Sequence, residues 1–565
     1  MIEIAKQLKN YKASYIKNDL FAAITVTITL VPQGMAYALL AGLPPIYGLY
    51  AAFIPLLIYP LFGSSRQLSV GPVALVSIIM LSALSLMAEP GSPEYIQLAI
   101  LTALVAGLIQ VMLAIFRMGW LVNYLSEPVI VGFTSAAALI IVSTQLKSLL
   151  GLEIPREIRM IDMLKSLMLN IQNISWISLT MGVLSILIIF FLKRIKRAIP
   201  GALIAVVLGI LSVIYFNLDE YNIAIVGAVP KGLPVFDVSF FVFEDIVKVF
   251  PLASIICLIS FIESLAISKT IASRYQDDQV DSNKELLGLG LAKVAGSFFQ
   301  AFPSTGSFTR SAINEQAGSQ SGLSSIFAGA LIGITLLFLT PYFYHLPKPV
   351  LAAIIISAVT GLVNIPYARK LLKIDRKDFY VLLTTFVITI LLGVQRGVLA
   401  GVVLSVVMVL YKSSRPHYAV LGRLEGTTSY RNLKRYSDAI TQSKTLIIRY
   451  DDDIYFGNAE HFYDKVNKEV RKVEGIEKLI LDFSSINNID STALQILERL
   501  FNSLKRQNIK IILSGAIGPV RDYMKKSGLI AMIGEENTYL RIHDAVSEED
   551  ENSKSIKKKY PTQHF

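Results

Sequence analysis

The stretch AFPSTGSFTRS, from Ala301 to Ser311, decides the fold. It sits among apolar runs, yet it is made of Pro, Gly, Ser and Thr and carries Arg310. Helix breakers followed by a charge suit the start of a half-helix inside a bilayer. The first four N–H groups of a helix have no partner within it. With the macrodipole they place about half a positive charge at that end. Water cannot reach such an end at mid-membrane, so an anion is the natural partner. Gly306 is the expected pivot, the Ser307 and Thr309 hydroxyls are expected donors, and Arg310 adds a delocalised positive charge.

A second break matches the first. GSSRQLSVGP, Gly63 to Pro72, leads into the apolar run VALVSIIM. Gly71 lets backbone approach a ligand. Pro72 suits a first helical turn, where its missing N–H costs nothing. Paired, Gly/Pro-interrupted apolar segments in the two halves of a chain point to a transporter binding site.

Composition supports a membrane setting. The 565 residues are 53% hydrophobic and 17% charged, with mean hydropathy +0.55. Apolar runs of spanning length recur from Asp19 to Lys412. About fourteen spans are expected. In the first half they begin near Phe21, Ile46, Pro72, Ile96, Asn123, Ser175 and Gly201. In the second they begin near Ile246, Glu285, Gly306, Gly322, Val350, Phe379 and Arg396. Seven spans per half make a repeat inverted in the bilayer. Each half opens with a polar residue near mid-depth, Gln33 in one and Glu263 in the other.

The net charge of +11 belongs to cytoplasmic loops, such as KRIKR (Lys193 to Arg197) and RKLLKIDRK (Arg369 to Lys377). No motif calls for a nucleic-acid partner. These loops put both termini in the cytoplasm. Residues 1–18 are expected as an amphipathic cytoplasmic segment and 19–413 as the transmembrane domain. A linker is expected over 414–436, an α/β domain over 437–546 and a disordered charged tail over 547–565. Cys257 is the only cysteine, so no disulfide forms within the chain. Neither a metal site nor a cofactor is expected, and no nucleophile–base pair suggests an enzyme.

Glu263 is expensive in hydrocarbon. Either it is a proton-coupling carboxylate, or it pairs with Lys293 on the next span. Arg310 has its own alternative partner in Glu315.

VPQGMAYALLAGLPPIYGLYAAFIPLLIYPLFGSSRQLSVGP (Val31 to Pro72), FIESLAISKTIA, FPSTGSFTRSAINEQAG and LILDFSSINNIDSTAL together resemble the sulfate permease (SulP) family. The last looks like the hallmark of its C-terminal STAS domain. The resemblance implies an all-α polytopic membrane protein of seven-plus-seven inverted repeats, followed by a cytoplasmic α/β STAS domain. It implies a core domain of spans one to four and eight to eleven, a gate domain of the rest, and a homodimer working by elevator-like movement. It also implies an anion pocket of Gln33, Tyr37, Val73, Ala74, Ser307, Phe308, Thr309 and Arg310, with Glu263 as coupling residue. Lys293 stands where the family usually has Asn, and Ile267 argues against sodium. Ser491 occupies the position phosphorylated in signalling STAS proteins; helix N-capping by Asp490 or Ser491 is the other reading.

The expected function is inner- or plasma-membrane transport of a small inorganic oxyanion, sulfate first, with protons or by exchange for a counter-anion. Bicarbonate, chloride and dicarboxylate remain alternatives. A membrane-tethered signalling protein acting through a cytoplasmic partner of its STAS domain is the alternative of another class.

Overall fold

The computed structural model describes residues 3–8, 11–120, 126–152, 154, 160–195, 200–221, 223–275 and 280–547. The expected disordered tail, beyond Ser547, lies outside them, as does part of the KRIKR loop. The chain divides into two compact units, Met1–Ser405 and Val406–Phe565.

The first unit is helical. Its main helices are α1 (Ala13–Leu40), α2 (Ile46–Phe62), α3 (Ala74–Leu84), α4 (Pro93–Ile115), α5 (Glu127–Leu150), α6 (Trp176–Ile195) and α7 (Gly201–Phe216). There follow α8 (Phe243–Ala272), α9 (Ser282–Ser297), α10 (Phe308–Gln316), α11 (Leu323–Ile334), α12 (Lys348–Val359), α13 (Arg376–Leu392) and the first half of α14 (Val394–Ser414), which runs across the boundary at Ser405. A helix covers or begins close to every expected span start. Among the described residues, seven helical segments are long and apolar enough to cross a membrane; α2, α3, α7 and most of α6 are shorter apolar helices. Local sequence sets several starts. Ser92 caps α4 ahead of Pro93, and Asp281 caps α9 by accepting from the Asn283 and Lys284 N–H groups.

Packing sorts these helices into two groups. In one, α9 lies on α2 and α4, α8 on α4, and α10 and α11 on α1. In the other, α12 and α13 lie on α5, and α7 and α12 on α6. Each group draws on both halves of the sequence, and α1 touches both, packing on α7 and α12 as well. Small residues allow the closest crossings. A Cβ on Gly48 would stand 1.9 Å from the Gly34 carbonyl oxygen, so α1 and α2 touch through backbone.

The two breaks meet. β1 (Val70–Gly71) pairs antiparallel with β2 (Thr305–Gly306), Val70 opposite Gly306 and Gly71 opposite Thr305. The half-helices that follow, α3 and α10, therefore leave the ladder in opposite senses. This is the inversion expected of the repeat.

Two boundaries differ from expectation. Pro72 lies outside its helix, because Val73 is the N-cap and Ala74 the first helical residue. Among the described residues, the expected amphipathic segment holds a short helix, Glu3–Leu8, and α1 already begins at Ala13. Buried Asp19 explains the early start: it accepts from Tyr11 Oη at 2.7 Å, Gln320 N at 2.7 Å and Ser321 Oγ at 2.7 Å. The base of α1 is thereby tied to the loop before α11.

The second unit is an α/β sandwich. Its strands are β3 (Tyr418–Leu424), β4 (Tyr430–Asn432), β5 (Ala439–Ile440), β6 (Thr445–Tyr450), β7 (Lys478–Asp482), β8 (Lys510–Ser514) and β9 (Thr538–Tyr539). The order is β4-β3-β6-β7-β8-β9, with β5 also on β3. The stretch 414–436 is thus not a linker, for it supplies β3 and β4. β6 through β9 run parallel. Helices α15 (Ala459–Val470), α16 (Ser491–Arg506) and α17 (Gly518–Lys526) bury one sheet face with Phe462, Leu497, Phe501, Leu504 and Met524. Ala545 and Val546 cover the other face over Ile447, Ile480 and Ile512.

Candidate anion-binding site

The half-helix starts build the site. α3 begins at Val73 and Ala74, both buried, and Val73 has no side-chain oxygen to cap the helix. Ser307 caps α10 by accepting from the Arg310 N–H at 3.5 Å, which leaves its hydroxyl proton free to donate. The inner face of α10 is stapled to the chain before β1. Ser311 Oγ accepts from Ser69 N at 2.9 Å, and Asn314 Nδ2 donates to the Gln67 carbonyl at 3.0 Å.

Arg310 joins the two ends. It is fully buried, and its Nη1 donates to the Pro72 carbonyl at 3.0 Å. Its Nε and Nη2 make no hydrogen bond, nor does Glu263 Oε2. Buried donors and acceptors without partners are rare in native structures, and here they gather at one place. Glu263 and Tyr37 lie within electrostatic reach of Arg310. Gln33 and Tyr37, one turn apart on α1, are both 5% exposed. A Cβ on Gly71 would stand 3.2 Å from Arg310 Nη2, so Gly71 makes room for the guanidinium.

Several expected relationships are replaced by others. Lys293 does not pair with Glu263; its Nζ donates to Gln110 Oε1 at 2.9 Å, across the α4–α9 crossing. Arg310 does not pair with Glu315, which is held by Arg274 at 2.8 Å. Gly306 is small because of its neighbours: a Cβ there would meet Leu68 Cδ1 at 2.7 Å and Ser264 Oγ at 3.0 Å. Phe308 is 56% exposed and Thr309 is exposed too, so the first turn of α10 faces open space rather than the buried cluster. In the second unit Asp490 is the helix cap, accepting from Ala493 N at 2.8 Å, and Ser491 is exposed beside it.

Glu285 escaped the sequence reading. It is fully buried on α9 and accepts from Tyr59 Oη at 2.8 Å, Ser64 N at 2.9 Å, Ser64 Oγ at 2.8 Å and Ser65 N at 3.1 Å. It fixes the loop that enters β1. An acid at the edge of an apolar run, as in this sequence and at Asp19, reads as a surface residue. Among the described residues, no group of three or more His, Cys, Asp and Glu could hold a metal ion.

The Sulfate permease family model matches residues 16–385, and the STAS domain model matches residues 436–545. This chain belongs to the sulfate permease family. The permease is 40% identical over 558 residues to the Arabidopsis thaliana protein named Sulfate transporter 4.1, chloroplastic, covering 95% of this chain and 81% of that one. It is 39% identical over 550 residues to Probable sulfate transporter 4.2 of the same plant, covering 94% and 81%. Among solved structures, the murine Solute Carrier 26 family member A9 anion transporter in the inward-facing state matches with TM-score 0.88 at 27% identity. That match covers 96% of the permease and 93% of the murine chain. The permease is therefore a multi-pass membrane anion transporter with a C-terminal STAS domain.

Proposed function

We propose that the protein is a secondary transporter of small inorganic oxyanions, sulfate first. The anion is held between the N-termini of α3 and α10 by Gln33, Tyr37, Val73, Ala74, Ser307 and Arg310, with Phe308 and Thr309 contributing the main-chain N–H groups of the α10 start. The observation that carries this reading is the antiparallel β1–β2 pair, which brings both half-helix starts to the unpartnered side of Arg310.

Charge supports a divalent substrate. Arg310 supplies one positive charge, and each helix end about half of one, for a total of about two. Glu263 decides whether that balance holds. Protonated, it leaves the site matched to sulfate; ionised, it cancels one charge. Sulfate import with a proton follows from this, and exchange for another anion is the second mode. The core group, α1–α4 with α8–α11, moves as an elevator against the rest. The protein works as a homodimer in the plasma or inner membrane with both termini in the cytoplasm. There Ser491, exposed at the start of α16, is open to phosphorylation, and the STAS domain to a cytoplasmic partner.

Purified protein in liposomes tests the reading. Saturable uptake of labelled sulfate is expected, accelerated by an inward proton gradient and weakly inhibited by bicarbonate, chloride and succinate. Uptake of one of those competitors instead would replace the substrate. A Glu263→Gln variant with wild-type dependence on the proton gradient would end the coupling role.

A further inference from the structure

Lys293 is 1% exposed, and among the described residues it forms no ion pair. A buried ammonium without a carboxylate partner needs an explanation. The hydrogen bonds beyond it supply one. Gln110 on α4 has its Nε2 committed twice on α8, to the Cys257 carbonyl at 3.0 Å and to Ser260 Oγ at 3.0 Å. Its Oε1 must then face Lys293, the donor that fixes which way the amide points. The Ser260 carbonyl in turn accepts from Thr305 Oγ1 at 2.9 Å. Thr305 has a single hydroxyl proton and gives it to that carbonyl. Ser264 Oγ, 2.9 Å from Thr305 Oγ1, is therefore the donor of the bond between them. Ser264 Oγ also accepts from Gly306 N at 2.9 Å. The chain of bonds starts at Lys293 and ends on both residues of β2.

We propose that Lys293 is a positioning residue: through Gln110 and α8 it holds β2, and hence the anion-facing start of α10, in place. Its charge is not what the site uses; the donated hydrogen is. Glu263 sits on α8 between Ser260 and Ser264, so the same relay fixes its place beside Arg310. The transport arm of the test rests on the function proposed above, and the exchange arm does not.

The test compares Lys293→Met, which removes the donor, with Lys293→Gln, whose amide can still donate to Gln110 Oε1. In the purified full chain, amide deuterium exchange over residues 303–308 is expected to quicken about tenfold in Lys293→Met, as loss of one buried hydrogen bond implies. Exchange over α13 should stay at the wild-type rate, and Lys293→Gln should match wild type throughout. In liposomes, Lys293→Met should raise the KM for sulfate by a similar factor with Vmax per folded molecule kept, and Lys293→Gln should restore it. A merely structural role would instead lower Vmax through lost protein and leave KM alone. Unchanged exchange over 303–308 in Lys293→Met overturns the proposal, as does a Lys293→Gln variant that behaves like Lys293→Met. If Lys293→Met does not fold, Gln110→Leu removes both of the amide's bonds to α8, cuts the relay at its midpoint and should quicken the same segment; no change there overturns the proposal equally. If exchange responds as expected while wild type carries no sulfate, the relay stands and the substrate reading falls.

Discussion

Arg310 Nη1 donates to the carbonyl of Pro72 at 3.0 Å, across 238 residues of chain. One side chain of the second half thus holds the entry to the first half's broken helix, and its Nε and Nη2 make no hydrogen bond. Arg310→Lys keeps the charge but has a single compact ammonium in place of a planar fork. Its three donors radiate from one nitrogen, so it cannot present a bidentate fork to an anion while bonded to the Pro72 carbonyl. Arg310→Lys should raise the KM for anion uptake about tenfold or more, and Arg310→Met should abolish saturable flux. Liposome uptake against substrate concentration measures both.

Three glycines should separate packing from function. Gly71→Ala places a Cβ 3.2 Å from Arg310 Nη2, so transport should fall while the protein stays folded. Gly48→Ala drives a Cβ into the Gly34 carbonyl at 1.9 Å and should destroy monodisperse expression. Gly361→Ala meets nothing within 4 Å and should be silent. Size-exclusion profiles and flux per folded molecule distinguish the three.

Glu285 should behave as an anchor of the β1 entry loop. Glu285→Ala leaves the donors of Tyr59, Ser64 and Ser65 without their acceptor. Each buried donor left unpaired costs about 1–3 kcal/mol. A marked fall in melting temperature is expected, smaller in Glu285→Gln, which keeps one acceptor oxygen.

At the start of α16 the two neighbouring polar residues should differ. Asp490 caps the helix and also accepts from Phe456 N at 2.8 Å. Asp490→Ala should cost about 1–2 kcal/mol of STAS-domain stability. Ser491→Ala should leave stability unchanged, because its side chain is exposed. Thermal melts of the two variants in the full chain make the comparison.

Asp482, at the end of β7, gives a pH signature outside the membrane. Burial raises its carboxyl above the ordinary value, against the opposing hydrogen bonds of Ser484 and the charge of Arg449. A folded-state value above the unfolded one means that stability is lost as pH rises through the folded value. Asp482→Asn removes that loss. It should melt higher than wild type at neutral pH, with the gain vanishing below about pH 4, where the wild-type carboxyl is protonated in both states. Melts across a pH series would show the crossover.

Much of the site was legible because breakers and charges are conspicuous in apolar sequence. Gly71, Pro72, Gly306 and Arg310 mark the two breaks, and the structure brings them together. What sequence could not supply was the partner of each polar group. Lys293 and Glu263 lie on successive helices, which invites a pair, but Lys293 faces α4 and finds Gln110. Phe308 and Thr309 follow the Ser307 cap, yet helical rotation turns them outward while Arg310 turns inward. The stretch 414–436 is polar and reads as a connector. It nonetheless supplies β3, seven residues long, and β4, three, and what makes them strands is pairing with β6 and with each other, a property of register rather than composition.

The two-rung ladder also dates the site within the life of the chain. Val70 and Gly71 leave the ribosome long before Thr305 and Gly306 exist, so the first half-helix enters the bilayer with its strand unmatched. Any nascent or truncated polypeptide ending before β2 lacks one of the two strands of this ladder, and with it the side chain that holds the Pro72 carbonyl.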